Sequence, residues 1–164
     1  MTDLSNLATI DYEVRDGVAH VMFNRPEGAN AVNPMFSADL RAVMLEIEWD
    51  DAVKAVSITA AGKVFCAGGD LKEFAAAGPE LPKLASDMLT DFHGGIYKMN
   101  RMAKPFVAGV NGAAGGAGMS LVSAFDLVVC GESAKFTMAY TRAGVTPDGT
   151  STYFVARHIG VRRM

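Results

Sequence analysis

The chain has 164 residues, 50% of them hydrophobic, with 15 Lys+Arg against 18 Asp+Glu, a formal net charge of -3 and a mean hydropathy of +0.18. Such a length and apolar content suit one domain with a buried core and exclude a disordered chain. The slightly acidic balance, with no basic stripe, argues against nucleic acid or an anionic membrane as a partner.

The opening stretch MTDLSNLATIDYEV carries early acids and no apolar run, so it does not read as a signal peptide. Asp16-Gly17 is a hairpin turn leading into a strand in DGVAHVMFNRPE that ends at Pro26. In NPMFSADLRAVMLEIEWDD, Asn33 is a helix cap and Pro34 the first helical residue. Phe36, Leu40, Val43, Met44 and Ile47 then keep helical spacing. VKAVSITA (Val53 to Ala60) is a second strand, running into the turn-rich AGKVFCAGGDLKEF.

A second helix is predicted over PKLASDMLTDFHGGIYKMNRM from the recurrence of Leu84, Met88, Phe92, Ile96 and Met99. Gly94 and Gly95 inside it cost roughly 1 kcal/mol each relative to alanine, so a neighbour should need the close approach they permit. PFVAGV is a third strand, MSLVSAFD a short buried helix, LVVC a fourth strand, and TSTYFVARHIGVRRM a terminal helix expected to expose Tyr153, Val155 and Ile159. The stretch from Pro105 to Phe125 has no charged residue and is long enough to span a membrane, but five glycines, Pro105 and Asn111 interrupt it. It reads as strand, loop and helix instead. The alternation of strands and helices predicts an α/β domain over 1–164, paired largely in parallel, with no linker dividing it.

Cys66 and Cys130 lie in apolar stretches, without metal-ligand spacing to the 3 histidines, and read as free thiols of a reducing compartment. A cytoplasmic protein without a metal is therefore expected.

The glycine-rich NGAAGGAGMSL, Asn111 to Leu121, sits between a strand and a helix. So much bare backbone implies a close approach to a phosphate, to another backbone or to a developing negative charge. Gly116 and Gly118 form only part of a dinucleotide fingerprint, and a Walker lysine is absent. FCAGGDL, Phe65 to Leu71, repeats the strand, glycine, helix order, and two such turns could aim N–H groups at one oxygen. Asp148, between Pro147 and Gly149 and ahead of a helix, reads either as a turn or cap residue or as an acid with a chemical role. His93 beside two glycines reads as a surface residue, and Tyr140 as a core residue with its hydroxyl satisfied.

Taken in order, FNRPEGANAVN, ITAAGKVFCAGGDLKEF, KPFVAGVNGAAGGAGMSLVSAFDLVVC and ESAKFTMAYTRAGVTPDGTSTYFVARHIGVRR resemble the crotonase, or enoyl-CoA hydratase/isomerase, superfamily across nearly the whole chain. The resemblance implies a spiral of ββα repeats that binds an acyl-CoA thioester and stabilises its enolate, with no cofactor beyond the coenzyme A of the substrate. It implies an oxyanion hole at the Gly69 and Ala117 N–H groups. Ala29, Ala31, Ala67, Asp70 and Leu71 fall where the family folds around coenzyme A, and Arg25 falls near its phosphates. The two glutamates of family hydratases align with Ser120 and Tyr140, so two-glutamate hydration is not expected.

Asp148 aligns with the acid of several family isomerases, which implies enoyl-CoA double-bond isomerisation with Asp148 as base. Burial is expected to raise its pKa toward that task. The alternatives are nucleophilic aromatic substitution of the 4-chlorobenzoyl-CoA dehalogenase type, with His93 and Tyr140 at the positions of its histidine and tryptophan, or a CoA-thioester binder without chemistry. The resemblance also implies a homotrimer or hexamer. It implies that a C-terminal helical part, which builds the oligomer and closes over the acyl-CoA, is missing from this sequence.

Overall fold

The computed structural model describes residues 4–164. Strands β1 (Ile10–Arg15) and β2 (Val18–Phe23) form an antiparallel hairpin. Asp16 and Gly17 both take positive φ, 53° and 79°, as a two-residue hairpin turn requires. Helix α1 (Pro34–Trp49) starts as expected, with Asn33 accepting from the Phe36 N–H at 2.9 Å. It is followed by β3 (Ala55–Ala60), β4 (Val64–Cys66), α2 (Leu71–Ala77), α3 (Leu81–Arg101), β5 (Phe106–Val110) and β6 (Ala113–Gly115). The chain goes on through α4 (Ala117–Ala124), β7 (Leu127–Cys130), β8 (Phe136–Thr137), a 3-10 segment (Ala139–Ala143) and α5 (Ser151–Ile159).

Successive strand pairs feed two sheets. One runs β1-β2-β3-β5-β7, parallel after the first hairpin, and the other runs β4-β6-β8, also parallel. After the opening β1-β2 hairpin, which lies wholly in the large sheet, each turn of chain lays one strand on each sheet before its helix, which is the spiral of ββα units expected above. The short strands β4, β6 and β8 carry no sequence expectation, because three residues or fewer hold no alternation for a pattern to detect.

The core forms where the buried face of α1 meets the large sheet. Phe36 packs edge-on against Phe23, their ring centroids 4.9 Å apart, and Phe23 continues to Phe65 on β4 at 5.4 Å. Helix α3 lies against α1, and of its two glycines Gly95 explains the contact. A Cβ there would meet Leu40 Cγ at 3.1 Å, whereas one on Gly94 would reach only the flexible Arg41 side chain at 3.5 Å. The expectation of a close approach therefore holds for Gly95 and not for Gly94.

Two sequence expectations are corrected at the C-terminal side. Val155 is buried, because α5 turns it inward, while Tyr153 and Ile159 remain exposed. Cys130 is exposed on β7, the edge strand of the large sheet, beside exposed Leu127 and Val129. Cys66 is buried, and burial pushes its thiol up to about 12, so it is not a thiolate at neutral pH. Among the described residues no helix is long and apolar enough to cross a membrane, and the uncharged 105–125 stretch is divided among β5, β6 and α4.

Candidate active site

The two glycine turns meet. A Cβ on Gly68 would lie 2.7 Å from the Gly115 carbonyl oxygen and 3.5 Å from the Ala117 nitrogen. One on Gly118 would lie 2.2 Å from the Cys66 carbonyl oxygen, and one on Gly112 would collide with the Lys63 carbonyl. The glycines therefore let the backbone of 112–118 press directly on the backbone of 63–68, which any side chain would prevent.

Helix α4 begins at Ala117, two residues earlier than the sequence reading placed it, because Gly116 adopts φ 48° as its cap. Ala117 is thus the first helical residue, whose N–H has no partner within the helix. Among the described residues, neither the Gly69 nor the Ala117 N–H donates to a backbone carbonyl, and both residues line one cavity of about 320 Å³. Its walls are mostly apolar, with Phe74 from α2 and Met88, Leu89 and Phe92 from α3. Tyr140 and Asp148 also line it.

Asp148 sits on a tight turn in which Gly149 and Thr150 both take positive φ, 57° and 67°, and the Asp148 carbonyl accepts from the Ser151 N–H at 3.1 Å. A β-branched threonine in that conformation is strained. The carboxylate does not cap α5. Its Oδ1 accepts from the Tyr140 hydroxyl at 2.6 Å and its Oδ2 lies 3.2 Å from His93 Nε2. The turn-or-cap reading of this acid is thereby replaced by a carboxylate held at the cavity by two side chains.

Burial pushes the Asp148 pKa up, but the hydrogen bonds from His93 and Tyr140 pull it down further, and the net result lies below the ordinary carboxylate value. The expectation of a raised pKa is overturned, because sequence alone shows burial but not the two donors. Burial, and after it the same carboxylate, drive the Tyr140 hydroxyl well above its ordinary value, so it stays protonated and donates. His93 Nε2 also lies 3.3 Å from the Gly149 nitrogen. One nitrogen cannot both donate to Asp148 and accept from Gly149, so an ionised Asp148 selects the His93 tautomer with its proton on Nε2.

The residues expected around coenzyme A also come together. The Ala67 N–H donates to the Ala29 carbonyl at 3.1 Å, and Arg25 reaches the Ala31 carbonyl at 3.0 Å and Asp70 Oδ2 at 2.7 Å. Asp70 caps α2 through its other oxygen, and Leu71, largely exposed, lines the cavity mouth. Burial of Asp70 opposes its ionisation, but Arg25 and the helix N–H groups outweigh it and hold the pKa below the usual carboxylate range. Arg25 is thus engaged within the fold as well as standing beside this segment.

Residues 13–164 match the sequence profile of the family described as Enoyl-CoA hydratase/isomerase. The chain belongs to the enoyl-CoA hydratase/isomerase family. Among similar members, it is 34% identical to 1,2-epoxyphenylacetyl-CoA isomerase of Escherichia coli over 92% of this chain and 58% of that protein. It is 35% identical to 4-chlorobenzoyl coenzyme A dehalogenase-2 of an Arthrobacter species, over 94% of this chain and 56% of that protein. The solved structure of an enoyl-CoA hydratase from Polaromonas sp. JS666 superposes with a TM-score of 0.83 at 34% identity, covering 90% of this chain and 58% of the other. The chain therefore spans somewhat over half the length of the family members it matches.

Sequence reasoning had Ser120 only as the place of an absent glutamate. In the fold it is fully buried behind Tyr140, its Oγ 2.6 Å from the Tyr140 oxygen and 3.0 Å from the Asp148 carbonyl oxygen. Residues 120 and 140 are 20 apart, 140 and 148 are 8 apart, and they share no periodic pattern, so only the folded chain reveals the link.

Proposed function

We propose that this chain binds an acyl-CoA thioester and isomerises an enoyl double bond, with Asp148 as the base. The observation that carries the reading is one cavity lined by Gly69 and Ala117, whose N–H groups donate to no backbone carbonyl, by Asp148 and by an apolar wall. The thioester carbonyl oxygen accepts from the Gly69 and Ala117 N–H groups, which acidifies the C2–H bond. Asp148 removes the C2 proton of a 3-enoyl thioester, giving a dienolate whose charge rests at the hole, and returns that proton at C4. The product is the conjugated 2-enoyl thioester. Preorganised donors of this kind stabilise an oxyanion by about 3–4 kcal/mol each as judged by their removal.

A depressed pKa keeps Asp148 ionised and ready at neutral pH, so the hole supplies the driving force by making C2–H acidic. Ala29, Ala31, Ala67, Asp70, Leu71 and Arg25 form the coenzyme A side of this reading. Absence of a carboxylate at residues 120 and 140 disfavours two-glutamate hydration.

The His93–Asp148 contact of 3.2 Å supports a second reading, in which ionised Asp148 attacks a halogenated aromatic ring, chloride leaves and His93 helps water to cleave the aryl ester. Ultraviolet absorbance of 3-enoyl-CoA mixed with wild type or Asp148→Asn separates the two. Growth of the conjugated band only in wild type is the expected result, and an unchanged rate in Asp148→Asn removes Asp148 as the base. Chloride released from 4-chlorobenzoyl-CoA with no conjugated band selects the second reading.

A further inference from the structure

Three oxygens form a chain from the buried α4 side to the half-buried acid: Ser120 Oγ and Tyr140 Oη lie 2.6 Å apart, and Tyr140 Oη and Asp148 Oδ1 are also 2.6 Å apart. The Tyr140 hydroxyl has one proton, and the carboxylate can only accept, so that proton lies toward Asp148. Two oxygens at 2.6 Å with no proton between them repel, so the Ser120 proton lies toward Tyr140. The order is Ser120 to Tyr140 to Asp148, every donor used.

We propose that Ser120 is a positioning residue for Asp148, aiming the Tyr140 hydroxyl at the carboxylate from the helix that carries the Ala117 N–H. This rests on the reading of Asp148 as the base. Ser120 is one turn along α4 from the Gly116–Ala117 start, and its N–H bonds the Gly116 carbonyl at 3.0 Å. Its Oγ also lies 3.0 Å from the Asp148 carbonyl oxygen, but with its one proton given to Tyr140 this is a packing contact, and that carbonyl accepts from the Ser151 hydroxyl at 2.8 Å instead.

The site has room for a serine and little more. A Cβ on Gly149 would come within 3.0 Å of Ser120 Cβ, 3.2 Å of Phe92 and 3.4 Å of Ile96. With no exposure at Ser120, water cannot take over its hydroxyl when it is removed. A serine that only filled space would be replaced by alanine without consequence for the acid. A serine that acts through Tyr140 would not.

The test is titration of the Asp148 carboxyl carbon by nuclear magnetic resonance in the full chain, its signal assigned by loss in Asp148→Asn. Wild type, Ser120→Ala, Tyr140→Phe and the double variant are compared, with kcat and KM for 3-enoyl-CoA measured alongside. Asp148 is faced by His93 from α3 and by Tyr140 from the 3-10 segment, and His93 is unchanged in all four proteins.

Ser120→Ala is expected to move the Asp148 titration upward and to lower kcat about tenfold with KM within about twofold, the scale of one hydrogen bond. Tyr140→Phe moves the titration further, and the double variant matches Tyr140→Phe alone because Ser120 acts through Tyr140. An Asp148 titration unmoved in Ser120→Ala, or effects that add in full, overturns the proposal. If Ser120→Ala does not fold, Ser120→Cys, close in size and a weak donor, gives the same readings. Undiminished isomerisation by Asp148→Asn overturns the assignment of the base instead, and the titrations distinguish that failure from loss of the Ser120 link.

Discussion

Gly118→Ala is a direct test of why glycines crowd this loop. The new Cβ would sit 2.2 Å from the Cys66 carbonyl oxygen, with Cys66 Cβ at 2.8 Å and its carbonyl carbon at 2.9 Å. Contacts of a real Cβ stay above 3.0 Å, so α4 and β4 must part by roughly 0.8 Å, and the obstacle is backbone with no rotamer to yield. Overpacking of a tight core costs about 1–3 kcal/mol. A backbone collision belongs at the upper end, while alanine recovers at most about 1 kcal/mol of helix propensity. The net loss is then about 2 kcal/mol, which for a domain of this size lowers Tm by about 4–8 °C. Because Ala117 is the adjacent residue, kcat should also fall at least about tenfold, toward the 10²–10³ that loss of one oxyanion donor costs. Calorimetry and the 3-enoyl-CoA assay read the two effects. A variant with unchanged Tm and unchanged kcat would refute the close backbone contact as the reason for glycine at this position.

Gly94→Ala is expected to do the opposite, raising Tm by about 2–4 °C, since its Cβ meets only a movable arginine and the helix gains about 1 kcal/mol; a calorimetric fall would contradict this. Ser120→Glu should abolish isomerisation without bringing in hydration, because the larger side chain displaces Gly149 and the acid's turn; hydration of a 2-enoyl-CoA would contradict that outcome. Asp70→Asn should lower stability by about 1–3 kcal/mol in urea unfolding, as Arg25 loses its 2.7 Å partner. Asp70 and Asp148 both have native pKa values below their unfolded ones, so each stabilises the fold fully above about pH 4 and loses that contribution as pH falls through its native value. In Asp148→Asn, stability should therefore decline less steeply over that acidic range than in wild type.

The long elements were legible because they are periodic: α1 and α3 bury every third or fourth residue, and β2 and β5 alternate. Cap chemistry was legible too, as Asn33 and Pro34 show. The second sheet was not, since strands such as AAG hold too few residues for a period and are defined by what lies beside them. In the site, glycine clusters signalled close backbone contact and aspartate signalled an acid. The sign of the Asp148 pKa depended on Tyr140 and His93, donors from two other elements, which no local pattern specifies. Val155 was misplaced for a similar reason: its neighbour is α4, across a loop whose path the sequence does not state.

Helix α4 is eight residues long, and it starts at the Ala117 N–H and reaches the Asp148 carboxylate through Ser120 and Tyr140. On the reading proposed above, this short rod acts as a ruler between the point where negative charge collects and the point where a proton is held. The acyl wall is built elsewhere, from Phe74, Met88 and Leu89 on α2 and α3. The two parts touch at two points, since α3 also carries His93, 3.2 Å from Asp148, and Phe74 stands against Gly69. Reshaping the wall at Met88 or Leu89 for another acyl group therefore keeps the ruler only while those contacts hold.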